Sequence, residues 1–168
     1  NLIKHCWFQD IRTFFRLSCV NFLNTAPHSN NFYNPSPLLK QLLKTTKDSL
    51  YAGISAAIEG NRLGDISFAV QSTVREKGYG IVRELVGHGV GKNLHEDPQI
   101  PNFGPPGRGT LLKAGMTFAI EPMINQGRKE VKVLEDNWTA VTIDGQYSAH
   151  FEHSILITED ERIILTAL

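Results

Sequence analysis

Two glutamates that stand in apolar, strand-like segments constrain most strongly how this chain folds. Residues 116–121 alternate in hydrophobicity and end on Glu121, and Pro122 then prevents further strand pairing. Residues 148–157 have the same two-residue period, so Glu152 lies inside a second apolar strand. A carboxylate in such a place needs a cation, an arginine or a proton as its partner, because burying an unpaired charge is costly. For each glutamate the alternative is a structural salt bridge or a strand face that is open to water.

A histidine between two glycines follows an apolar, β-prone stretch at residues 81–86. Glycines there let the backbone turn sharply and leave room beside the imidazole of His88, which we expect to project from the end of a strand into a loop. A second histidine, His95, precedes the acidic pair Glu96 and Asp97. One imidazole is suited to bind a metal ion while the other faces the group on which the metal acts. Because Gly-His-Gly alone is more often an ordinary loop, this hypothesis depends on the two glutamates.

The composition is that of a single globular domain without a charged binding surface. The chain has 168 residues, of which 41% are hydrophobic, and this is enough for one core. The 17 basic and 17 acidic residues cancel, so the charge balance indicates neither nucleic acid nor an anionic membrane as a partner. The two cysteines, Cys6 and Cys19, form no close-spaced metal motif, and a reduced, cytoplasmic setting is the default expectation.

Two parts of the chain differ in character. Residues 1–23 are apolar and aromatic, but charged residues interrupt every run long enough for a bilayer, and no clear signal-peptide pattern follows. Residues 24–37 are rich in proline, asparagine and serine, as in a linker. We therefore predict that residues 1–37 are a segment and linker not native to the fold, and that residues 38–168 form the domain. Because the chain begins with asparagine rather than methionine, we expect it to be a fragment.

The periodicity changes from helical to β-like along the predicted domain. We predict one helix over residues 38–60 and a second over about residues 65–78, each ending near a glycine. We expect antiparallel strands at residues 116–120, 130–134, 138–143, 148–158 and 162–165, with turns at residues 136–137 and 144–145. The proline- and glycine-rich residues 98–109 are predicted to form an irregular wall beside the site. Helices followed by a β meander indicate an α+β fold.

Five motifs together resemble the C-terminal half of bacterial type I methionine aminopeptidases, in the same order and with similar spacing. They are Gly87-His88-Gly89-Val90-Gly91, His95-Glu96-Asp97-Pro98, residues 115–123, Asp136-Asn137-Trp138-Thr139 and Phe151-Glu152-His153-Ser154. The resemblance covers residues 38–166 and leaves residues 1–37 unmatched. It implies the pita-bread fold of creatinases and aminopeptidases, in which two similar αβ halves surround a curved antiparallel sheet. Residues 38–168 would then be a partial metallopeptidase domain, the C-terminal half only.

The family that these motifs resemble removes the initiator methionine from newly made proteins with divalent metal, usually two ions. The resemblance implies that His88 and Glu121 bind one ion, that Glu152 bridges both, and that Glu121 also acts as general acid and base. One imidazole and two carboxylates suit Co, Mn, Fe, Zn or Ni, between which the sequence does not choose. A pair of cations would activate a shared water and neutralise the developing oxyanion.

The resemblance also assigns the substrate side of the site. His95 is expected to contact the substrate amide and to stabilise the tetrahedral intermediate, where a hydrogen-bond donor is most useful. Trp138 and Leu94 are expected near the methionine pocket, although many relatives carry an aromatic residue at the position of Leu94. The implied partner is the N-terminal methionine of nascent peptides in the cytoplasm, and neither nucleic acid nor a membrane is expected. The family is usually monomeric, and association with the ribosome stays open.

Several parts of the family pattern have no counterpart in this chain. Two aspartates that complete the metal pair are missing, as are an upstream histidine and part of the methionine pocket. Three ligands remain, so we expect one ion to bind weakly and the second to lack partners. The isolated chain is therefore predicted to be inactive or nearly so, with half of its sheet uncovered and prone to aggregate. We hypothesise that residues 1–37 are an out-of-frame or misassembled replacement for the missing half.

Two other functions fit a chain of this kind. One is a non-catalytic pita-bread module that binds proteins, but such modules commonly lose metal ligands, whereas the two histidines and two glutamates named above are all present. The other is an Xaa-Pro peptidase or a creatine-type relative. Those proteins are usually longer, and residues 87–91 and 118–123 fit the methionine enzyme better.

Overall fold

The computed structural model describes residues 36–166. The predictions for residues 1–35, including those for Cys6 and Cys19, lie outside the described residues, and the domain boundary near residue 37 stays a prediction. Within residues 36–166, two helices pack against each other and against antiparallel strands, which confirms the predicted α+β class. Neither of these helices combines the length and the apolar character that crossing a bilayer requires.

The first helix, α1 (Pro37–Ala56), begins with a proline at a position where a missing N–H does no harm. The hydroxyl of Ser36 accepts a hydrogen bond from the backbone N–H of Leu39 (3.3 Å) and caps the helix. The helix ends before the predicted stop at residue 60. The reason is that the side-chain amide of Asn61 donates to the carbonyl of the last helical residue (2.9 Å) and replaces the next helical N–H.

The second helix, α2 (Leu63–Arg75), starts near Asp65, as predicted. The carboxylate of Asp65 accepts hydrogen bonds from the backbone N–H of Arg62 (2.7 Å) and from that of Gly107 (2.7 Å). The bond from Arg62, followed by that from Gly107, lowers the pKa of Asp65, because N–H donors stabilise the charged carboxylate. Asp65 therefore ties the helix start to the loop that contains Gly107.

Short strands form three antiparallel sheets within the described residues. The strands are β1 (Gly80–Ile81), β2 (Gly87–Gly89), β3 (Glu96–Ile100), β4 (Thr117–Ile120), β5 (Met123–Asn125), β6 (Val131–Val133), β7 (Ala140–Thr142), β8 (Ser148–His150), β9 (His153–Ile157) and β10 (Arg162–Ile164). The largest sheet has the order β10, β9, β4, β2, β3, and the second has the order β1, β5, β8. Strands β6 and β7 form a separate hairpin.

The segment after β4 and the segment before β9 both leave the largest sheet at the same end of their pairing. This break in the sheet creates the site. Strand β4 pairs with β9 up to Ile120, whereas β5 pairs with β8 from Met123 onward. Between these positions Pro122 has no N–H to donate, so the ladder is interrupted and the chain continues in the second sheet. The prediction of one continuous strand over residues 148–158 is therefore wrong. The two glutamates stand in the gap.

The proline-rich residues 98–109 are partly regular, contrary to the prediction. Strand β3 extends through Pro98 to Ile100 and pairs with β2. The remaining residues pack on α2, where the side chain of Gln71 accepts a hydrogen bond from the N–H of Gly104 (2.8 Å). A proline is tolerated in β3 because this strand lies at the edge of the sheet.

The strand predicted at residues 138–143 begins later, at Ala140. The carboxylate of Asp136 accepts hydrogen bonds from the N–H groups of Trp138 (3.0 Å) and Thr139 (2.8 Å). Such an Asx turn withdraws these N–H groups from strand pairing. Trp138 consequently projects from a turn.

The main core lies between the two helices and the largest sheet. It is made of buried apolar side chains from α1, α2, β3, β4 and β9, among them Leu50, Ile54, Ile66, Ile100, Phe118, Ile120, Ile155 and Ile157. Burying such side chains contributes roughly 2 kcal/mol each. This core fixes the ends of β4 and β9, from which the two glutamates emerge.

Candidate metal centre

Three side chains converge at the strand break and form a group that can hold a metal ion. Glu121 follows β4, Glu152 precedes β9, and His150 is the last residue of β8. One potential ligand atom from each lies within 4.8 Å of the others. Glu121 is buried and the other two are partly buried. Because the three residues lie at or next to the ends of different strands, pairing within the sheets sets their relative positions.

Each carboxylate oxygen of Glu121 faces an imidazole. Nε2 of His88 lies 3.5 Å from Oε1, and Nε2 of His150 lies 3.4 Å from Oε2. The side chain of Glu121 is only 7% exposed, so solvent screens these interactions weakly. The amide of Asn102 donates a hydrogen bond to the backbone carbonyl of Glu121 (3.1 Å) and holds the turn that aims the carboxylate.

The hydrogen bonding of His88 indicates a place for a cation. Its Nδ1 lies 2.8 Å from the carbonyl oxygen of Gly89, and because a carbonyl only accepts, Nδ1 carries a hydrogen. In the neutral ring, Nε2 then presents a lone pair toward Glu121. Two acceptors that face each other are held together by a metal ion or a proton between them. The donor set therefore fits a divalent cation.

The glycines around His88 are explained by close backbone packing. A Cβ atom on Gly87 would collide with the carbonyl oxygen of Ala119, and one on Gly89 would collide with that of Asp97. His88 lies in the middle of β2, which has neighbouring strands on both sides. The prediction that His88 projects from a strand end into a loop is therefore wrong, since the glycines admit neighbouring strands rather than a turn.

Glu152 stands in a place that disfavours its negative charge. Burial raises the pKa of Glu152, and the nearby carboxylate of Glu121 raises it further. The imidazoles of His150 and His88 act in the opposite direction without cancelling this effect. A divalent cation between the two carboxylates would remove the repulsion and compensate for the lost hydration.

His95 lies against His88, with the ring centroids 4.0 Å apart and the ring planes at 45°. Partial burial lowers the pKa of His95, and the neighbouring His88 lowers it further, whereas Glu121 opposes the shift. At neutral pH this favours the neutral imidazole, which keeps one N–H to donate.

A cavity of about 460 Å³ opens beside these groups. Its apolar wall includes Val82, Leu85, Val86, Met123, Val131, Val133, Trp138 and Ala140, and the ionisable side chains Glu84, His95, Glu121 and His150 also line it. Of the residues predicted to bind substrate, His95 and Trp138 therefore line the cavity. Leu94 is 42% exposed and is not among the lining residues. None of residues 98–109 lines this cavity, to which the β6–β7 hairpin contributes Val131, Val133 and Ala140. Asn102 of that segment nevertheless contacts the backbone of Glu121, so the wall beside the site stays a prediction.

His150 is a ligand candidate that the family resemblance does not imply. It precedes Glu152 by two residues, and in the alternating pattern of residues 148–157 this spacing places both on one face. The spacing is the sequence signal that indicates His150, although the strand breaks between the two residues. The structure brings together the predicted ligands Glu121 and Glu152 with His150. The predicted ligand His88 approaches the other oxygen of Glu121.

Known proteins share this arrangement of segments. Residues 19–159 match the metallopeptidase family M24. Methionine aminopeptidase 1 of Bacillus subtilis is 57% identical over 127 residues, which are 76% of this chain and 51% of that protein. The crystal structure of a methionine aminopeptidase from Thermotoga maritima is 52% identical with a TM-score of 0.77, and covers 79% of this chain and 53% of that chain. The chain thus spans about half the length of these relatives.

More distant structures share the fold alone. A prolidase from Pyrococcus horikoshii OT3 is 23% identical with a TM-score of 0.60, and covers 79% of this chain and 33% of that chain. The predicted resemblance to methionine aminopeptidases and the predicted pita-bread fold are confirmed by these matches. The family match covers 141 of the 168 residues, so the chain belongs to metallopeptidase family M24.

Proposed function

We propose that this centre binds divalent metal and that its function is to remove the N-terminal methionine from nascent peptides. The proposal is carried by the carboxylate of Glu121, which lies between two imidazoles, beside Glu152 and at the wall of a largely apolar cavity. It is supported by the metallopeptidase family and by relatives that are methionine aminopeptidases. Since the chain spans about half of those relatives, the activity of a whole protein is part of the proposal.

His88, Glu121 and Glu152 are the proposed metal ligands. An oxygen-rich set with imidazole suits Mn, Fe, Co, Ni or Zn. A divalent ion bound there would polarise the peptide carbonyl and offset the negative charge that develops on its oxygen. For a whole protein we propose the two-ion arrangement of the family, with Glu152 as the shared ligand.

Glu121 and His95 are the proposed catalytic residues. The carboxylate of Glu121 takes a proton from the attacking water and delivers it to the leaving amine. The hydrogen bond from Asn102 to the backbone of Glu121 keeps the carboxylate in place during this transfer. His95, held neutral by its lowered pKa, donates its N–H to the amide group of the substrate as charge develops there.

The cavity provides the proposed specificity for methionine. A methionine side chain is flexible and polarisable, so it fills an irregular apolar wall better than a branched side chain does. Trp138 offers an aromatic ring for contact with the thioether, which contributes roughly 0.5–1 kcal/mol. Leu94 stays a predicted pocket residue. Since it does not line the cavity, a bound substrate would have to extend out of the cavity to contact it. We propose a cytoplasmic monomer, and association with the ribosome stays an open prediction.

Peptide selectivity tests the proposed function. The chain is incubated with Mn²⁺ or Co²⁺ and either Met-Ala-Ser or Ala-Pro-Ser, and mass spectrometry detects the products. We expect methionine to be released from the first peptide and nothing from the second. Because the chain has no counterpart of the two family aspartates, we expect slow turnover, so selectivity is more informative than rate.

The control for this experiment is the variant Glu121→Gln, in which the release of methionine is expected to disappear. Release that persists in this variant would come from a contaminating host aminopeptidase. Cleavage of Ala-Pro-Ser in place of Met-Ala-Ser would favour an Xaa-Pro peptidase. A chain that binds metal but cleaves neither peptide would match the inactivity predicted for half of the domain, whereas a chain that binds no metal would favour a non-catalytic binding module.

A further inference from the structure

We infer that His150 is a further metal ligand, which supplies its Nε2 atom to an ion held by Glu121 and Glu152. This inference rests on the proposed metal site. It deepens that proposal by adding a nitrogen donor, on the Oε2 side of Glu121, to the ligands that the family resemblance implies.

The position of His150 leaves one ring nitrogen without a hydrogen bond. Nε2 is buried and has no hydrogen-bond partner within residues 36–166. The pairing of His150 with Met123 holds the ring at the cavity wall, where its side chain is 15% exposed. A buried polar atom without a partner is costly, and native proteins retain few of them. A ligand role would satisfy this nitrogen.

The distance between His150 and Glu121 fits two ligands of one ion. Nitrogen and oxygen ligands lie about 2.1 Å from Zn²⁺, so two ligands at a tetrahedral angle lie about 3.4 Å apart. Nε2 of His150 and Oε2 of Glu121 are 3.4 Å apart and do not meet the geometry of a hydrogen bond. Glu152 also offers a carboxylate oxygen within 4.8 Å of one ligand atom of each of these two residues. The three donors are thus close enough together to hold one ion.

The charges of the group favour a divalent ion at this position. The two carboxylates contribute up to two negative charges, whereas a ligating imidazole is neutral. A divalent ion therefore neutralises the group, which a single proton does not. The added nitrogen also shifts the expected preference from Mn²⁺ toward Co²⁺, Ni²⁺ and Zn²⁺.

This assignment changes the expectation for the chain. With His150, the described residues offer a group of three donor side chains, Glu121, His150 and Glu152, and His88 approaches Oε1 of Glu121. None of these donors is one of the two family aspartates. We therefore expect the chain to bind one Co²⁺ or Zn²⁺ ion more tightly than the set of His88, Glu121 and Glu152 alone would allow.

Titration of the full chain with Co²⁺ tests the inference, with His150→Gln and His153→Gln as a matched pair. Both substitutions remove an imidazole from the same segment. His153, however, contacts Tyr51 (3.3 Å) and Thr166 (2.8 Å) outside the group. We expect the affinity for Co²⁺ to fall at least about tenfold in His150→Gln and to change less than about twofold in His153→Gln. X-ray absorption should show one fewer imidazole ligand in His150→Gln only.

The outcomes separate this inference from the proposed metal site. In one outcome, His150→Gln keeps the Co²⁺ affinity and the number of imidazole ligands of the original chain, while Glu121→Gln and Glu152→Gln lose the metal. The role of His150 is then overturned, and the proposed metal site stands. If the original chain binds no Co²⁺ or Zn²⁺, both are overturned. Circular dichroism of the metal-free variants checks folding, and His150→Ala replaces His150→Gln if that variant does not fold.

Discussion

At the scale of single residues, the metal centre brings together side chains whose charge and hydrogen bonding are unfavourable in the metal-free chain. Glu121 and Glu152 bring two carboxylates into a largely buried place, and the ring nitrogen of His150 lacks a hydrogen bond within the described residues. Each of these features lowers the stability of the fold when no cation is present. Such local conflicts concentrate at functional sites, where a ligand resolves them.

This conflict predicts that Glu152→Gln stabilises the metal-free chain. Burial and the carboxylate of Glu121 disfavour the charge of Glu152, and glutamine removes that charge with little change of shape. We expect the free energy of unfolding at neutral pH to rise by about 1 kcal/mol, measured by urea unfolding in the presence of a chelator. Glu159→Gln, which removes an exposed carboxylate, should change it by less than about 0.5 kcal/mol. If Glu152→Gln were less stable than the original chain, the charge of Glu152 would not destabilise the metal-free fold.

At the scale of secondary structure, α2 depends on one carboxylate for its start. Asp65 accepts hydrogen bonds from Arg62 and from Gly107, so Asp65→Asn weakens both the cap and the attachment of the following loop. We expect the free energy of unfolding to fall by about 1 kcal/mol at neutral pH.

The pH dependence of this difference follows from the lowered pKa of Asp65 in the folded chain. A lowered carboxyl pKa stabilises the fold fully above the pKa of the unfolded chain, and the stabilisation is lost as the pH falls through the folded pKa. The difference between the original chain and Asp65→Asn should therefore vanish in acid, as urea unfolding at decreasing pH would show. Asp160→Asn serves as the control, and a difference that does not depend on pH would argue against the charge of Asp65.

Local sequence patterns predict the helices and most strands, but not the break between the sheets. Amphipathic spacing and capping residues are local, so both helices could be placed to within a few residues. The interruption near Glu152 depends on Pro122 in a neighbouring segment, which removes a hydrogen bond from the facing strand. The alternating pattern of residues 148–158 continues through the break, and the sequence of that segment alone therefore indicates one strand.

At the scale of the whole molecule, the centre is assembled from segments far apart in sequence. His88, Glu121 and Glu152 could be proposed because each stands in a distinctive local setting, a glycine-flanked position or an apolar strand. His150 has a weaker signal, its two-residue spacing to Glu152, since a histidine at a strand end is common. Its role depends on β5 and β8 lying side by side, which places it next to Glu121. Pairing between distant segments is the information that one sequence does not display.

The same assembly predicts that metal stabilises the entire fold. When the free concentration of an ion is one hundred times its Kd for the folded chain, binding adds about 2.7 kcal/mol to the free energy of unfolding. For a domain of this size, that corresponds to a rise in Tm of roughly 8 °C. We expect Co²⁺ or Zn²⁺ to produce this shift in thermal unfolding and a chelator to reverse it. Because the group includes imidazole, Ca²⁺, which prefers oxygen ligands alone, should produce little shift.

Glu121→Gln identifies the place where the ion acts. This substitution removes the carboxylate that the two imidazoles face, so it should abolish the shift with Co²⁺ even though the strands on either side remain paired. A shift of equal size in this variant, or with Ca²⁺, would mean that the ion binds exposed carboxylates elsewhere on the surface. A shift that depends on both Glu121 and the choice of ion requires the segments around β2, β4 and β9 to be folded together, because none of them holds the ion alone.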